Sequence, residues 1–330
     1  MAFSNSIAGT TFNALKVLDH AYRRCRLPAQ AITAEMQQYA LDSLAFMLDE
    51  LQNIKPPSWC IERQIYPFYQ GVYQVTLDIG TIEVLNANLR TLQELTGETT
   101  TTSTSYTVDF TDNYDGSGVV NTVGVKWLAA AVNLTFQTSV DGITWTTVGT
   151  QTTTASAGEW TWTDIVPARA REWFRITSAS TISASQIYLG TLPQEIPMGV
   201  LNRDTYVAQS NKVFQGRPLT YWFQRDLPEP VMNLWPAPNA AAEEQQLIVW
   251  RHRQIMDTQN LQQEIEIPAR WLEAIINGLA ARLATETPAV DANLIPILEQ
   301  RAAMSMQRAW DGDNDGSPTF INPGIACYTK

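Results

Sequence analysis

Near its C-terminal end the chain reads WDGDNDGSPTFINPG, residues 310–324, with Asp311, Asp313 and Asp315 alternating just ahead of Gly316. Alternating carboxylates followed by glycine make the first half of a calcium loop, where oxygens at every second position close around the ion. The second half does not follow. The twelfth loop position is Asn322, where a bidentate Glu would have to complete the coordination sphere, and Pro318 and Pro323 obstruct a second helix. The expected role is a solvated hinge behind a helix, with a cation at Asp311, Asp313 and Asp315 left as the open alternative. DNYDGSG at 112–118 poses the same choice, and a polar turn is the expectation there too.

Other residues with chemical reach are sparse. His20 and His252 are too few for a metal cluster, and His252, inside the alternating stretch WRHRQ, is expected on an exposed strand face. The sequence contains no Gly-x-Ser-x-Gly elbow, phosphate loop or His-Glu-x-x-His pair. Cys25, Cys60 and Cys327 are odd in number and not spaced for metal, which suggests reduced thiols in a protein made in the cytosol. No enzymatic activity, cofactor or metal is expected. Among the eleven tryptophans, Trp145, Trp160, Trp162 and Trp173 fall in one central segment. Alternation in EWTWT puts Trp160 and Trp162 on one face, and packing inside a core is expected over bracketing a sugar ring.

What must position these residues is a chain of 330 residues, 45% hydrophobic and 17% charged, enough for two cores. Net charge is −11, and acidic residues outnumber basic ones in residues 1–97, 98–195 and 196–330 alike. No segment has the basic footprint of a protein that grips phosphates, although an acidic lining suits nucleic acid that slides past. No apolar run is long enough to cross a bilayer, and MAFSNSIAGTTFNALKVL is not expected to be a secretion signal.

Two helices are expected first: one carrying Leu15, Leu18, Tyr22 and Cys25 with Thr11 as cap, the other from Thr33 through Met36, Ala40, Leu44, Met47 and Leu51. The short turn RLPAQ predicts an antiparallel hairpin between them. Strand-like runs follow to about residue 92. A Thr/Ser tract, TGETTTTSTSYT, then opens a strand-rich segment ending at the Pro-bearing join LPQEIP, and its strand number and spacing predict a β-sandwich. Further strands lead to two closing helices, one with Ile275, Ile276, Leu279 and Leu283, the other with Leu294, Leu298, Ala302, Met306 and Ala309. Pro296 is expected to kink or delay the last helix, and Gly278 to mark a close helix contact.

The fold class is therefore α+β: a helical domain with a small β part, residues 1–97 and 196–312, interrupted by an all-β jelly-roll-like sandwich, 98–195, and followed by an arm, 313–330. The outer pieces resemble the head-to-tail adaptor (connector) proteins of tailed bacteriophages, including tail tubular A proteins. The resemblance is carried by RDTYVAQSNKVFQGRPLTYWFQRDLPEPVMNLWPAPN at 203–238, by the opening hairpin, and by IPARWLEAIINGLAARLA with LEQRAAMSMQRAW. The inserted segment resembles discoidin or coagulation-factor type C sandwiches of galactose-binding-like fold. NLTFQTSVDGITWTTVGT is similar to their strand–Asp-Gly–Trp hairpin and PARAREWFRITS to their Ala-Arg-Tyr strand, with Trp173-Phe174 in place of the tyrosine.

The resemblance implies a virion protein at the head–tail junction, assembled in the host cytoplasm as a ring of twelve copies. Its partners would be portal protein, a tail tube or nozzle protein, copies of itself, and DNA passing through the lumen without sequence-specific binding. No membrane is implied. The terminal arm would reach portal through Phe320, Ile321, Asn322, Ile325 and Tyr328. The sandwich would project outward to virion proteins or glycans. The rival expectation is a carbohydrate-binding module on a helical scaffold within a tail or fibre assembly.

Overall fold

The computed structural model describes residues 12–111, 120–165 and 172–313. They divide into two compact units, Met1–Ile61 with Gln254–Lys330, and Glu62–Arg253.

The first unit is helical. Helix α1 (Ala14–Arg24) is capped by Asn13, not by the expected Thr11, with the Asn13 side chain accepting from the Lys16 amide. Leu18, Tyr22 and Cys25 of the expected stripe are buried, together with Ala14, Val17 and Ala21, and only Leu15 falls off the face, half-buried. Helix α2 (Ala34–Ile54) starts as predicted, with Thr33 Oγ1 accepting from the Met36 amide at 3.2 Å. Pro268 lies just before a single 3₁₀ turn that leads into the second-last helix, Leu272–Glu286, and the last helix is Ile295–Gly312. Pro296 sits in the first turn of that last helix and neither kinks nor delays it, because an N-terminal proline gives up no hydrogen bond there.

Residues from both ends of the sequence fill one core. Leu18 and Tyr22 meet Leu44, Leu48, Ile275, Leu279 and Leu298 in it. Leu272–Glu286 is the central helix, packed on both opening helices and on the last one. Gly278 faces Met47, and a Cβ there would come within 2.9 Å of its Sδ, the close approach the glycine suggests. Trp271 is fully buried, with Trp59 5.0 Å and Trp310 4.7 Å away in edge contact.

The second unit is mostly β. Its strands begin with β1 (Ile61–Pro67), β2 (Gln74–Thr76) and β3 (Thr81–Glu94). The central segment adds β4 (Glu98–Thr101), β5 (Ser105–Asp109), β6 (Thr122–Trp127), β7 (Leu134–Ser139), β8 (Thr146–Gln151), β9 (Trp160–Asp164) and β10 (Trp173–Thr177). Then come β11 (Ala184–Pro197), β12 (Gly199–Val200), α3 (Arg203–Val207), β13 (Gln215–Gly216), β14 (Thr220–Gln224), β15 (Val231–Trp235), β16 (Ala237–Pro238) and β17 (Gln246–Arg253). The helices of the first unit that follow are α4 (Leu272–Glu286) and α5 (Ile295–Gly312).

A six-stranded sheet runs β1-β17-β3-β11-β6-β9, and a five-stranded sheet runs β4-β5-β10-β7-β8. Val123, Val125 and Trp127 from the first meet Val108, Leu134, Phe136, Phe174 and Ile176 from the second in a single core, so the central segment is a β-sandwich. The Thr/Ser tract is its first hairpin, β4 paired antiparallel with β5. A separate core, with Phe68, Leu77, Leu89, Tyr221, Leu234 and Leu247, serves the four-stranded sheet β12-β14-β15-β2 and the other end of the six-stranded one.

The compact units therefore divide at 61/62 and 253/254, whereas the composition changes at 97 and 195. The cause is strand length. At about 3.3 Å per residue, β3 and β11 each extend about 46 Å, and β11 pairs β6 with its first half and β3 with its second. LPQEIP is the second half of β11, shifted in register between Thr191 and Gln194, and not a linker. The chemistry of the sequence changes near residue 96 because β3 passes from one core to the next.

Where the two cores meet, Arg90 on β3 is 1% exposed and ion-paired twice. Its Nη1 donates to both Asp164 oxygens at 3.1 Å, while Nη2 and Nε donate to Glu195 Oε1 at 2.6 and 3.0 Å. Gln246 Oε1 accepts from Nη1 at 3.2 Å, and Gln246 in turn donates to Thr122 at 3.3 Å. The Glu195 carboxyl is pushed up by burial, yet the Arg90 and Asn88 hydrogen bonds bring it below its ordinary value.

Candidate functional site

The end of the last helix is held in a clasp. Helix α5 continues through Asp311 and Gly312, and Asp313 is its C-cap. The Asp313 carboxylate accepts from the Ser58 amide at 2.9 Å and the Ser58 hydroxyl at 2.6 Å, and it is ion-paired with Arg270. The expected hinge thus does not begin at Asp311, because side chains from the α2 exit and the α4 entry hold the first two aspartates' segment in place. Asp315 and the arm residues Phe320, Ile321, Asn322, Ile325 and Tyr328 lie outside the described residues, as does the 112–118 turn.

Burial pushes the Asp313 carboxyl up, but the Ser58 and Arg270 hydrogen bonds outweigh it and hold the group below its ordinary value. A carboxyl depressed in the folded state adds stability above about pH 4, lost as pH falls through the folded value. Asp313→Asn is expected to cost about 1–2 kcal/mol at neutral pH and to flatten the acid limb of the stability profile. Urea unfolding between pH 3 and 7 reads both effects.

The 203–238 run folds into a compact scaffold. Asn202 caps α3 by accepting from the Thr205 amide at 2.7 Å. Tyr206 is buried with its ring 5.3 Å from Trp222, and Lys212 Nζ donates to the Val207 and Gln209 carbonyls at 3.3 and 3.4 Å. β13 pairs parallel with β16, setting Gly216 beside Pro238. Tyr206, Lys212 and the Gly216–Pro238 pairing therefore hold this run together, while Val207, Val213, Phe214 and Leu219 within it, and Val200 just before it, are each more than half exposed.

Besides the Phe136–Phe174 stack inside its core, the sandwich carries two tryptophan-bearing clusters outside it. Trp160 and Trp162 do share a face, with rings stacked at 4.9 Å, but it is the face opposite the sandwich core. There Trp162 lies over Gly124, where a Cβ would approach the ring to 2.3 Å, and the Trp160 amide donates to Tyr69 Oη at 3.0 Å. Trp160 packs against the segment that carries Tyr69, a contact alternation could not foresee. On the five-stranded sheet, the Arg175 guanidinium stacks 4.0 Å from the Trp145 ring centroid and donates to Gln137 at 2.6 and 3.0 Å. Trp173 lies two residues away on the same strand and is half-buried. The Asp141-Gly142 turn joins β7 to β8 as its dipeptide predicts; hydrogen bonds from the Thr144 and Ile143 amides hold the Asp141 carboxyl well below its ordinary range.

His252 is buried, not exposed. β17 lies between β1 and β3 and shifts register at Trp250/Arg251, so the alternation breaks where the sequence relied on it. Burial pulls the His252 imidazole below its ordinary value, with Glu83 opposing. Among the described residues there is no cluster of three or more His, Cys, Asp or Glu side chains placed to hold a metal. Cys25 and Cys60 are both buried, and burial raises the Cys25 pKa to about 11.

A last feature belongs to the first unit and was missed in the sequence. A cavity of about 640 Å³ opens among Leu27, Met36, Tyr39, Phe46, Leu283 and Pro288. Its signal was Tyr39 and Phe46, seven residues apart on α2 and off the core stripe.

No protein-family model matches the chain, and no curated protein matches it. Solved structures do match in part. CpGH89 from Clostridium perfringens, in complex with GlcNAc-α-1,4-galactose, is 14% identical over 40% of this chain, with a TM-score of 0.23. This chain spans only 14% of that one. CpGH89CBM32-5 from Clostridium perfringens, in complex with GalNAc-β-1,3-galactose, is 12% identical over 41% of this chain and 99% of its own, with a TM-score of 0.22. Chitosan-binding module 1 of a chitosanase/glucanase from Paenibacillus sp. IK-5 is 20% identical over 36% of this chain and 98% of its own, with a TM-score of 0.19. The β-sandwich stands on the sheet pairing and shared core described above.

Proposed function

We propose that the chain is a non-enzymatic assembly subunit, a head-to-tail adaptor that forms a ring between phage portal and tail. The observation that carries this reading is the distribution of solvent-facing apolar residues. In the helical unit Tyr39, Phe46 and Ile54 are each more than half exposed, and in the second unit Val200, Val207, Val213, Phe214 and Leu219 are too. A ring subunit needs two unlike faces for its neighbours and further faces for what lies above and below. The order of motifs along the chain supports the same reading; the structural comparisons do not contribute to it. In this reading helices form the ring wall, the arm ties it to portal, and the sandwich projects outward.

The test is Val207→Asp combined with Phe214→Asp. The doubly substituted chain should keep its fold and lose ring formation on cognate portal by at least about tenfold in concentration, as loss of a buried apolar contact implies. Unchanged assembly by light scattering would remove this surface from the ring.

The second reading, a glycan-binding module, has its own observation. Trp145, Arg175, Gln137 and Trp173 offer an aromatic face beside planar hydrogen-bonding groups on the five-stranded sheet, the pairing that sugar rings use. The matched structures are described as sugar-bound or sugar-binding proteins, which is what this reading expects. Glycan-array binding lost on Trp145→Ala would favour it.

A further inference from the structure

The cavity on the helical unit has a charge pattern that selects what fits it. Its walls are apolar, and two acids stand among the lining residues, Asp42 and Glu286, the latter accepting from Ser43 Oγ at 2.8 Å. Glu35 lies alongside, accepting from the Tyr39 hydroxyl at 2.9 Å. The floor, Leu27, Met36 and Leu283, belongs to the single core of the unit, so the opening is a built concavity and not a gap between separate bodies.

The chain supplies a matching segment. Residues 318–330, PTFINPGIACYTK, carry Phe320, Ile321, Ile325 and Tyr328, one lysine and no acidic side chain. Reach decides whether it can arrive. Asp313 is fixed beside Arg270 and Trp310 beside Trp271, at the entry to α4, whereas the cavity lies at the α4 exit, around Leu283 and Pro288. Fifteen helical residues separate those ends, about 22 Å at 1.5 Å per residue. Seven extended residues from position 314 cover about 24 Å, which brings Phe320 to the cavity with ten residues still to follow. The N-terminal eleven residues have Phe3 and Ile7 but no charged side chain to answer the acidic rim.

We infer that residues 318–330 dock into this groove of their own chain in the free subunit. Tethering favours the intrachain seat over a neighbour's, because a segment joined to its groove by a short stretch of chain meets it at a high effective concentration. The seat hides the apolar residues of the segment and the exposed faces of Tyr39 and Phe46 together. It stands independently of the adaptor reading; if that reading holds as well, a partner must displace the segment before binding it.

Native Cys327 provides the test, since Cys25 and Cys60 are buried. Ala289→Cys and, separately, Tyr39→Cys are made in the full chain and oxidised mildly at low concentration. The expected result is an intrachain disulfide to Cys327 from at least one of the two, identified by peptide mapping and lost when Phe46→Glu is added. In parallel, a labelled peptide of residues 318–330 should bind the chain truncated after Ser317, and Phe46→Glu should weaken it at least about tenfold, with helical content unchanged. Disulfides only between chains, no disulfide from either position, or a peptide that ignores Phe46→Glu would each overturn the docking.

Discussion

Trp271→Ala is expected to be the most damaging single substitution in the helical unit, at about 3–5 kcal/mol. The indole is fully buried where the sequence's two ends converge: Trp59 comes from the segment after α2, Trp310 from α5, and both meet Trp271 edge-on. Alanine leaves a void that neither neighbour fills, because each is already held by its own contacts. Trp271→Phe should recover more than half of the loss by keeping an aromatic edge in place. Chemical denaturation followed by circular dichroism gives the values. A cost near 1 kcal/mol for alanine would mean that the opening and closing helices do not depend on one another.

Arg90→Met follows, with an expected loss of about 2–3 kcal/mol. Removing one partner of a buried pair leaves an uncompensated charge, and a fully buried pair would cost about 3–5 kcal/mol. The figure is reduced here because the partners can rehydrate: the Asp164 side chain is 18% exposed and also pairs with Arg63, and the Glu195 side chain is 37% exposed. Methionine keeps the apolar stem packed, so the loss reports charge more than volume. Asp164→Asn in the Arg90→Met background should then cost less than Asp164→Asn alone. Simple additivity would show that Arg90 and Asp164 are not coupled.

The helices were legible because their evidence is local. Thr33 as cap and Leu44, Met47 and Leu51 as stripe all belong to one element, and the structure uses them as the sequence suggests. The sandwich was legible from strand spacing and the Asp141-Gly142 turn. What was not legible depends on partners distant in sequence. Arg90 meets Asp164 and Glu195 at separations of 74 and 105 residues, and no periodicity announces that. His252 was misread because a register shift breaks strict alternation. Trp160 and Trp162 share a face as expected and Trp160 is buried, but outside the sandwich core, since alternation says which side chains share a face and not what covers it. Asp313 looked like part of a loose acidic run because its two tethers, Ser58 and Arg270, come from elsewhere in the chain. Cutting out residues 98–195 is consequently a poor test of the sandwich as a separable part: it removes β6 from β11 and divides β11 itself. Point changes on exposed faces leave both cores intact.

The most direct measurement of the central proposal is an electron-microscope image, with mass photometry, of the purified chain mixed with its cognate portal protein. The adaptor reading predicts a closed ring of this chain seated coaxially on portal, with sandwich density at the periphery. A chain that stays monomeric and unbound beside intact portal rings at micromolar concentration would contradict it.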